Sequence, residues 1–95
     1  MFIELDHFIY LEAKSNYTEI IISDHPKITV SKTLKEFDEL LPSAVFIRIH
    51  HSHLINKNHV LKYIRGEGGQ VMMRDGRTLD VARRKKEEFL KSIGH

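Results

Sequence analysis

The stretch Phe46-Ile47-Arg48-Ile49-His50-His51-Ser52-His53-Leu54-Ile55-Asn56 decides how the chain is read. Its first half alternates, so Ile47 and Ile49 can face one way while Arg48 and His50 face the other. That is the period of a strand with one covered face and one working face. His51, Ser52 and His53 break the alternation, and Leu54-Ile55 returns to apolar packing. Polar, hydrogen-bonding side chains held between two apolar anchors predict a rigid recognition loop.

Outward from this stretch, strands predominate. Phe2 to Glu12 reads as a first strand, Ala13 to Tyr17 as a polar turn and Thr18 to Ser23 as a second strand. Asp24 to Lys27 reads as a turn and Ile28 to Ser31 as a third strand. Thr33-Leu34-Lys35-Glu36 has the form of a capping box, and Leu34, Phe37, Leu40 and Leu41 fall on one helical face before Pro42. Asn56 to Val60 predicts a single helical turn with Asn56 as cap. Leu61 to Arg65, Gln70 to Arg74 and Arg77 to Val81 predict a meander, with Gly66 to Gly69 and Asp75-Gly76 as its turns. Arg83 to Ile93 predicts a closing helix with a seam of Phe89, Leu90 and Ile93. The chain begins inside apolar material, which points to a piece of a longer protein with its first strand clipped.

Ninety-five residues make one domain, residues 1–95, and 41% hydrophobic residues suffice for a core. The absence of cysteine excludes disulfides and thiolate metal sites. No apolar run approaches the roughly 20 residues of a membrane span, so no membrane association and a cytoplasmic location are expected. The net charge of +2 conceals an asymmetry. Through Ile47 four lysines face eight acids, a balance of −4; from Arg48 onward eleven Lys/Arg face five acids, a balance of +6. A positive half suits a polyanion such as nucleic acid, although a solvated charged face would look the same. Arg83, Arg84, Lys85 and Lys86 crowd the start of the last helix against its dipole, a conflict that phosphates would relieve.

Four histidines in ten residues, His50, His51, His53 and His59, raise a zinc site. On an extended strand His51 and His53 would point the same way, but the HExxH spacing is absent. His50-x-Ser52 also matches one element of two-histidine phosphoesterases, without the second that those enzymes need. There is no Walker loop, nucleophile elbow or dinucleotide-binding turn. The expectation is no catalysis, no metal and no cofactor.

The chain resembles the LytTR family of bacterial DNA-binding domains. The resemblance is carried by Ile9-Tyr10-Leu11-Glu12-Ala13 with Asn16-Tyr17, by Thr33 to Phe37 with Leu40-Leu41-Pro42, and by Phe46-x-Arg48-x-His50-x-Ser52-x-Leu54-Ile55-Asn56. Asp75-Gly76 and Leu79-x-Val81-x-Arg83-Arg84 complete it. It implies a mainly β fold of small antiparallel sheets packed together with one or two short helices. It also implies sequence-specific binding of double-stranded DNA as the output domain of a transcriptional response regulator in a two-component system. Loop and helix-start residues would enter successive major grooves. The implied base-contacting residues are Asn16, Thr18, His51 and Arg84, and Arg48, His50 and Ser52 match positions that meet the DNA backbone or hold the loop. Lys14, Arg83, Lys85 and Lys86 are added on electrostatic grounds as backbone contacts.

The resemblance further implies direct-repeat promoter sites, a homodimer on DNA and an N-terminal receiver domain. Two departures stand out: His51 occupies a position where many members carry Arg or Asn, and Ala82 replaces a capping serine, leaving Asp80 or a phosphate to cap. The competing expectation is a non-enzymatic protein-interaction or dimerisation module with a basic face.

Overall fold

The computed structural model describes residues 3–94. The alternating stretches become eight strands: β1 (Phe8–Ala13), β2 (Thr18–Ile22), β3 (His25–Val30), β4 (Phe46–His50), β5 (His53–Asn56), β6 (Val60–Ile64), β7 (Gln70–Met73) and β8 (Thr78–Asp80). Two seven-residue helices accompany them, α1 (Leu34–Leu40) and α2 (Lys86–Ser92). Short 3-10 turns cover Leu5–His7, Lys57–His59 and Arg83–Lys85.

The strands form two antiparallel sheets, one of five strands ordered β3-β2-β1-β5-β4 and one of three ordered β6-β7-β8. The five-stranded sheet is covered on both faces. On one face Leu11, Ile20, Ile22, Phe46 and Leu54 pack with Leu34 and Phe37 of α1. On the other, Ile47, Ile49 and Ile55 pack with Val71, Met73 and Leu79 of the small sheet, with Val81 just beyond it and with Phe89 of α2. Ile47 and Ile49 therefore lie in the core, while Arg48 and His50 stay half-buried on the opposite face. Non-directional burial of such alternating sets makes the five-stranded sheet, with β4 at its edge, the wall that both layers share.

Local chemistry explains several details. Thr33 accepts from the Glu36 amide at 3.2 Å, and the Glu36 carboxylate accepts from the Thr33 amide at 2.7 Å, so the capping box forms. Asn56 is fully buried; its side chain donates to the Phe8 carbonyl at 2.9 Å and accepts from the Asn58 amide at 2.9 Å. Gly76 takes φ 91° at the β7–β8 turn, a conformation glycine adopts without strain.

Other details differ from expectation. β1 begins only at Phe8, because Leu5–His7 winds into a 3-10 turn; Phe2 lies outside the described residues. β3 begins at His25 and runs through Pro26, which an edge strand tolerates because the missing N–H faces no neighbour. The turn before it shrinks to Ser23-Asp24, with Asp24 at φ 54°. Leu40 is 66% exposed, since the helix ends there and partly buried Leu41 takes its place in the seam. The closing helix starts at Lys86. Ala82 has no side-chain acceptor, and Asp80 accepts from Gln70 instead, so Arg83–Lys85 forms a 3-10 turn ahead of α2.

Candidate nucleic-acid interface

The β4–β5 hairpin ends in a tip, His51-Ser52, held from within. Arg48 folds over it, donating from Nε to the His50 carbonyl at 2.8 Å and from Nη2 to the His51 carbonyl at 2.7 Å. The Ser52 amide donates to His50 Nδ1 at 3.1 Å, and the His50 and His51 rings lie 4.2 Å apart. His51 is left exposed. Burial and then neighbouring His51 push His50 below the usual imidazole pKa. Burial also lowers Arg48, an effect that Asp38 opposes and Arg84 adds to, while the guanidinium stays charged.

Two backbone hydrogen bonds fasten this tip to its neighbours. The Ala13 amide, where β1 runs into the first turn, donates to the Ser52 carbonyl at 2.9 Å. The Ala82 amide, just before the cationic 3-10 turn, donates to the Ile49 carbonyl at 2.7 Å. The first turn, the tip and the cationic turn are thus spaced by the main chain.

Two grooves make the surface continuous. Lys14 and Asn16 of the first turn, Lys35 of α1, Arg48 and His51 line the first. Asp38, Arg48, His50, His51, Arg84 and Lys85 line the second. Arg48 and His51 belong to both, so the two grooves adjoin at the tip, with Asn16 on the first and Arg84 on the second. Arg84 is exposed, as is Arg83, whose Nη2 lies 3.7 Å from Glu67. Lys85 Nζ lies 3.9 Å from Glu88, and half-buried Lys86 opens α2. Lys14 Nζ lies 3.6 Å from Glu12.

Thr18 does not join this surface. It is fully buried at the start of β2, and its hydroxyl donates to the Lys32 carbonyl at 2.6 Å. The expectation that it contacts bases is corrected: the side chain has no exposed surface, and its hydroxyl is committed to the Lys32 carbonyl.

Beneath the tip lies a polar network that residue-by-residue reading missed. Arg77, from the β7–β8 turn, grips the Glu12 carboxylate with both terminal nitrogens, at 2.9 and 2.8 Å. His53 Nε2 lies 3.0 Å from the same carboxylate. Tyr10 donates to Asp75 at 3.1 Å and accepts from Arg77 at 3.3 Å. The Arg77 hydrogen bonds, helped by His53, bring Glu12 down to about 2 against the cost of burial, and burial raises Tyr10 to about 12. Glu12 and Arg77 stand 65 positions apart, so only the abundance of charged residues in both segments hinted at a pair.

This network also corrects the histidine geometry. His53 is buried against Glu12 while His51 is exposed, so the two do not present parallel ligands. Among the described residues, the one gathering of three candidate metal ligands is Glu4, Asp6 and His7 on the exposed N-terminal turn, which includes none of the four clustered histidines. No described helix is long and apolar enough to cross a membrane.

Two small antiparallel sheets that carry one continuous, mostly cationic edge of loops define a β-scaffolded DNA-binding domain. The chain belongs to the LytTR family: the family model for the LytTr DNA-binding domain matches residues 1–94. A solved LytTr DNA-binding domain, assigned to a methyl-accepting/DNA response regulator from Bacillus cereus, superposes with a TM-score of 0.87 at 28% identity. The match covers 98% of this chain and 86% of that one. No curated protein matches the sequence. DNA binding in transcription regulation is the family's business, and the family is not an enzymatic one.

Proposed function

We propose that this domain binds double-stranded DNA sequence-specifically, as the cytoplasmic output of a response regulator, by presenting the first turn, the β4–β5 tip and the Arg83–Lys86 segment to the duplex together. The observation that carries the reading is the sharing of Arg48 and His51 by both grooves, which joins three cationic and amide-bearing segments without a gap. In this reading Asn16, His51 and Arg84 meet base edges, where Arg recognises guanine and Asn recognises adenine. Lys14, Arg83, Lys85 and Lys86 neutralise phosphates and supply much of the affinity through counterion release. Arg48, His50 and Ser52 hold the tip, and Arg48 keeps Nη1 for a phosphate.

The molecule's longest dimension is 38 Å, against roughly 34 Å for one turn of B-DNA. A reach across two successive major grooves is part of this proposal. Two copies on direct repeats, and a receiver domain N-terminal to this one, belong to the same proposal. The test is retention of genomic fragments in a mobility shift at moderate salt, followed by Arg84→Ala. Selective retention is expected, and the variant should lose about 1–3 kcal/mol of discrimination at one base step. Unchanged preference in the variant would remove Arg84 from the readers. No selective retention by the wild type would instead favour a protein-docking face.

A further inference from the structure

The second groove contains one residue that does not fit a phosphate-binding surface. Five of its lining side chains are Arg48, His50, His51, Arg84 and Lys85; the sixth is Asp38, an exposed carboxylate on α1. Leu34 and Phe37 bury the inner face of α1, which sets position 38 on the flank of the helix that looks toward Arg48. Two of the three cations in the groove have partners of their own, while Arg84 has none among the described residues. Arg48 donates to the His50 and His51 carbonyls, and Lys85 lies beside Glu88. Among the described residues Asp38 forms no ion pair or hydrogen bond, acting on Arg48 only through space.

Such a carboxylate opposes phosphates, yet it stands among the groups proposed to meet DNA. An ionised Asp offers acceptors only. In the major groove it is compatible with an exocyclic amino group, cytosine N4 or adenine N6, and incompatible with guanine O6 or thymine O4. We infer that Asp38 is a specificity-determining residue, accepting a hydrogen bond from the amino group of a cytosine or adenine beside the base step read by Arg84. It then serves two ends. It adds a contact on a matching site, and it repels a mismatched or misaligned duplex whose acceptors or phosphates fall against it.

This inference rests on the DNA-reading proposal and deepens it. The experiment is selection from a randomised duplex library, with sequencing, for the wild-type domain, Asp38→Asn and Asp38→Ala, and titration of the selected duplex at several salt concentrations. The wild type should enrich a motif that includes one position restricted to C or A. At that position Asp38→Ala should lose about tenfold of preference, whereas Asp38→Asn, which keeps an acceptor and gains a donor, should also admit the acceptors of guanine or thymine; both should keep the preferences elsewhere and bind unselected DNA more tightly. Thermal midpoints should stay unchanged, as expected for an exposed side chain without partners. Arg84→Ala should relax the adjacent position, which places the two readers relative to each other.

The inference is overturned if both variants enrich the wild-type motif unaltered. It is equally overturned if they tighten binding to selected and random duplexes by the same factor, since net charge alone would then account for the effect. Failure of the wild type to enrich any motif would bring down the DNA-reading proposal and the inference with it. An intact motif with no amino-restricted position removes the inference alone.

Discussion

Replacing Glu12 by Gln tests whether the network beneath the tip fastens the small sheet to the large one. Its carboxyl is held at about 2, against 4.5 for an unperturbed glutamate. At about 1.4 kcal/mol per pH unit that difference corresponds to roughly 3 kcal/mol. The Arg77 side chain remains 48% exposed, so solvent screening reduces the value to about 2 kcal/mol. Because the folded-state pKa is depressed, this stability is present in full above about pH 4.5 and is lost as pH falls towards 2. Glu12→Gln should therefore lower stability by about 2 kcal/mol at pH 7, a fall of roughly 8–16 °C in thermal midpoint for a domain of this size. Urea unfolding of wild type, Glu12→Gln, Arg77→Gln and the double variant measures the coupling, which should exceed about 1 kcal/mol at pH 7 and fade at pH 2. A coupling below about 0.5 kcal/mol would refute the reasoning. So would wild type and Glu12→Gln losing stability in parallel between pH 4.5 and 2.

Lys85→Gln and Lys86→Gln should weaken binding to all duplexes alike, each reducing the slope of log K against log salt by about 0.9, as read from titrations at several salt concentrations. His53 is depressed below 6.5 chiefly by burial, so its folded state resists protonation and stability falls as pH drops below 6.5. His53→Gln should flatten the urea midpoint between pH 6.5 and 5, leaving the contribution of His50, whose imidazole burial also depresses. Asn56→Ala leaves the Phe8 carbonyl and the Asn58 amide without their side-chain partner, and should cost about 2 kcal/mol in chemical denaturation with the DNA preference unchanged.

The parts of the fold legible in the sequence are those governed by short-range pattern. Alternation at Ile47 and Ile49, the Thr33–Glu36 box, the Asn56 cap and the Asp75-Gly76 turn each involve residues a few positions apart, where periodicity and local hydrogen bonding decide the conformation. The first turn, the tip and the cationic helix start were each legible as polar or cationic segments, but how they lie relative to one another depends on sheet order, which no local pattern carries. What stayed hidden was set by tertiary partners. Thr18 looks like a turn-end polar residue until β3 covers it, and Leu40 looks like part of a seam until the helix ends. The Arg77–Glu12 grip is invisible because neither residue has a local pattern naming the other.

The arrangement separates the frame from the reader. Ala13 and Ala82 fasten the tip through main-chain amides, and Arg48 binds it through carbonyls, so none of these three fastenings uses a side chain that differs when position 51 changes. His51, Arg84 and Asp38 are exposed, where substitution usually costs less than about 0.5 kcal/mol. Under the proposed function, a surface built this way would change which bases it accepts while the spacing between its contacts stays constant. The absence of a side-chain cap at Ala82 fits the same logic. The Arg83–Lys85 turn forms without a side-chain cap, and the Ala82 amide, held by the Ile49 carbonyl, ties the start of the segment that carries Arg84 to β4.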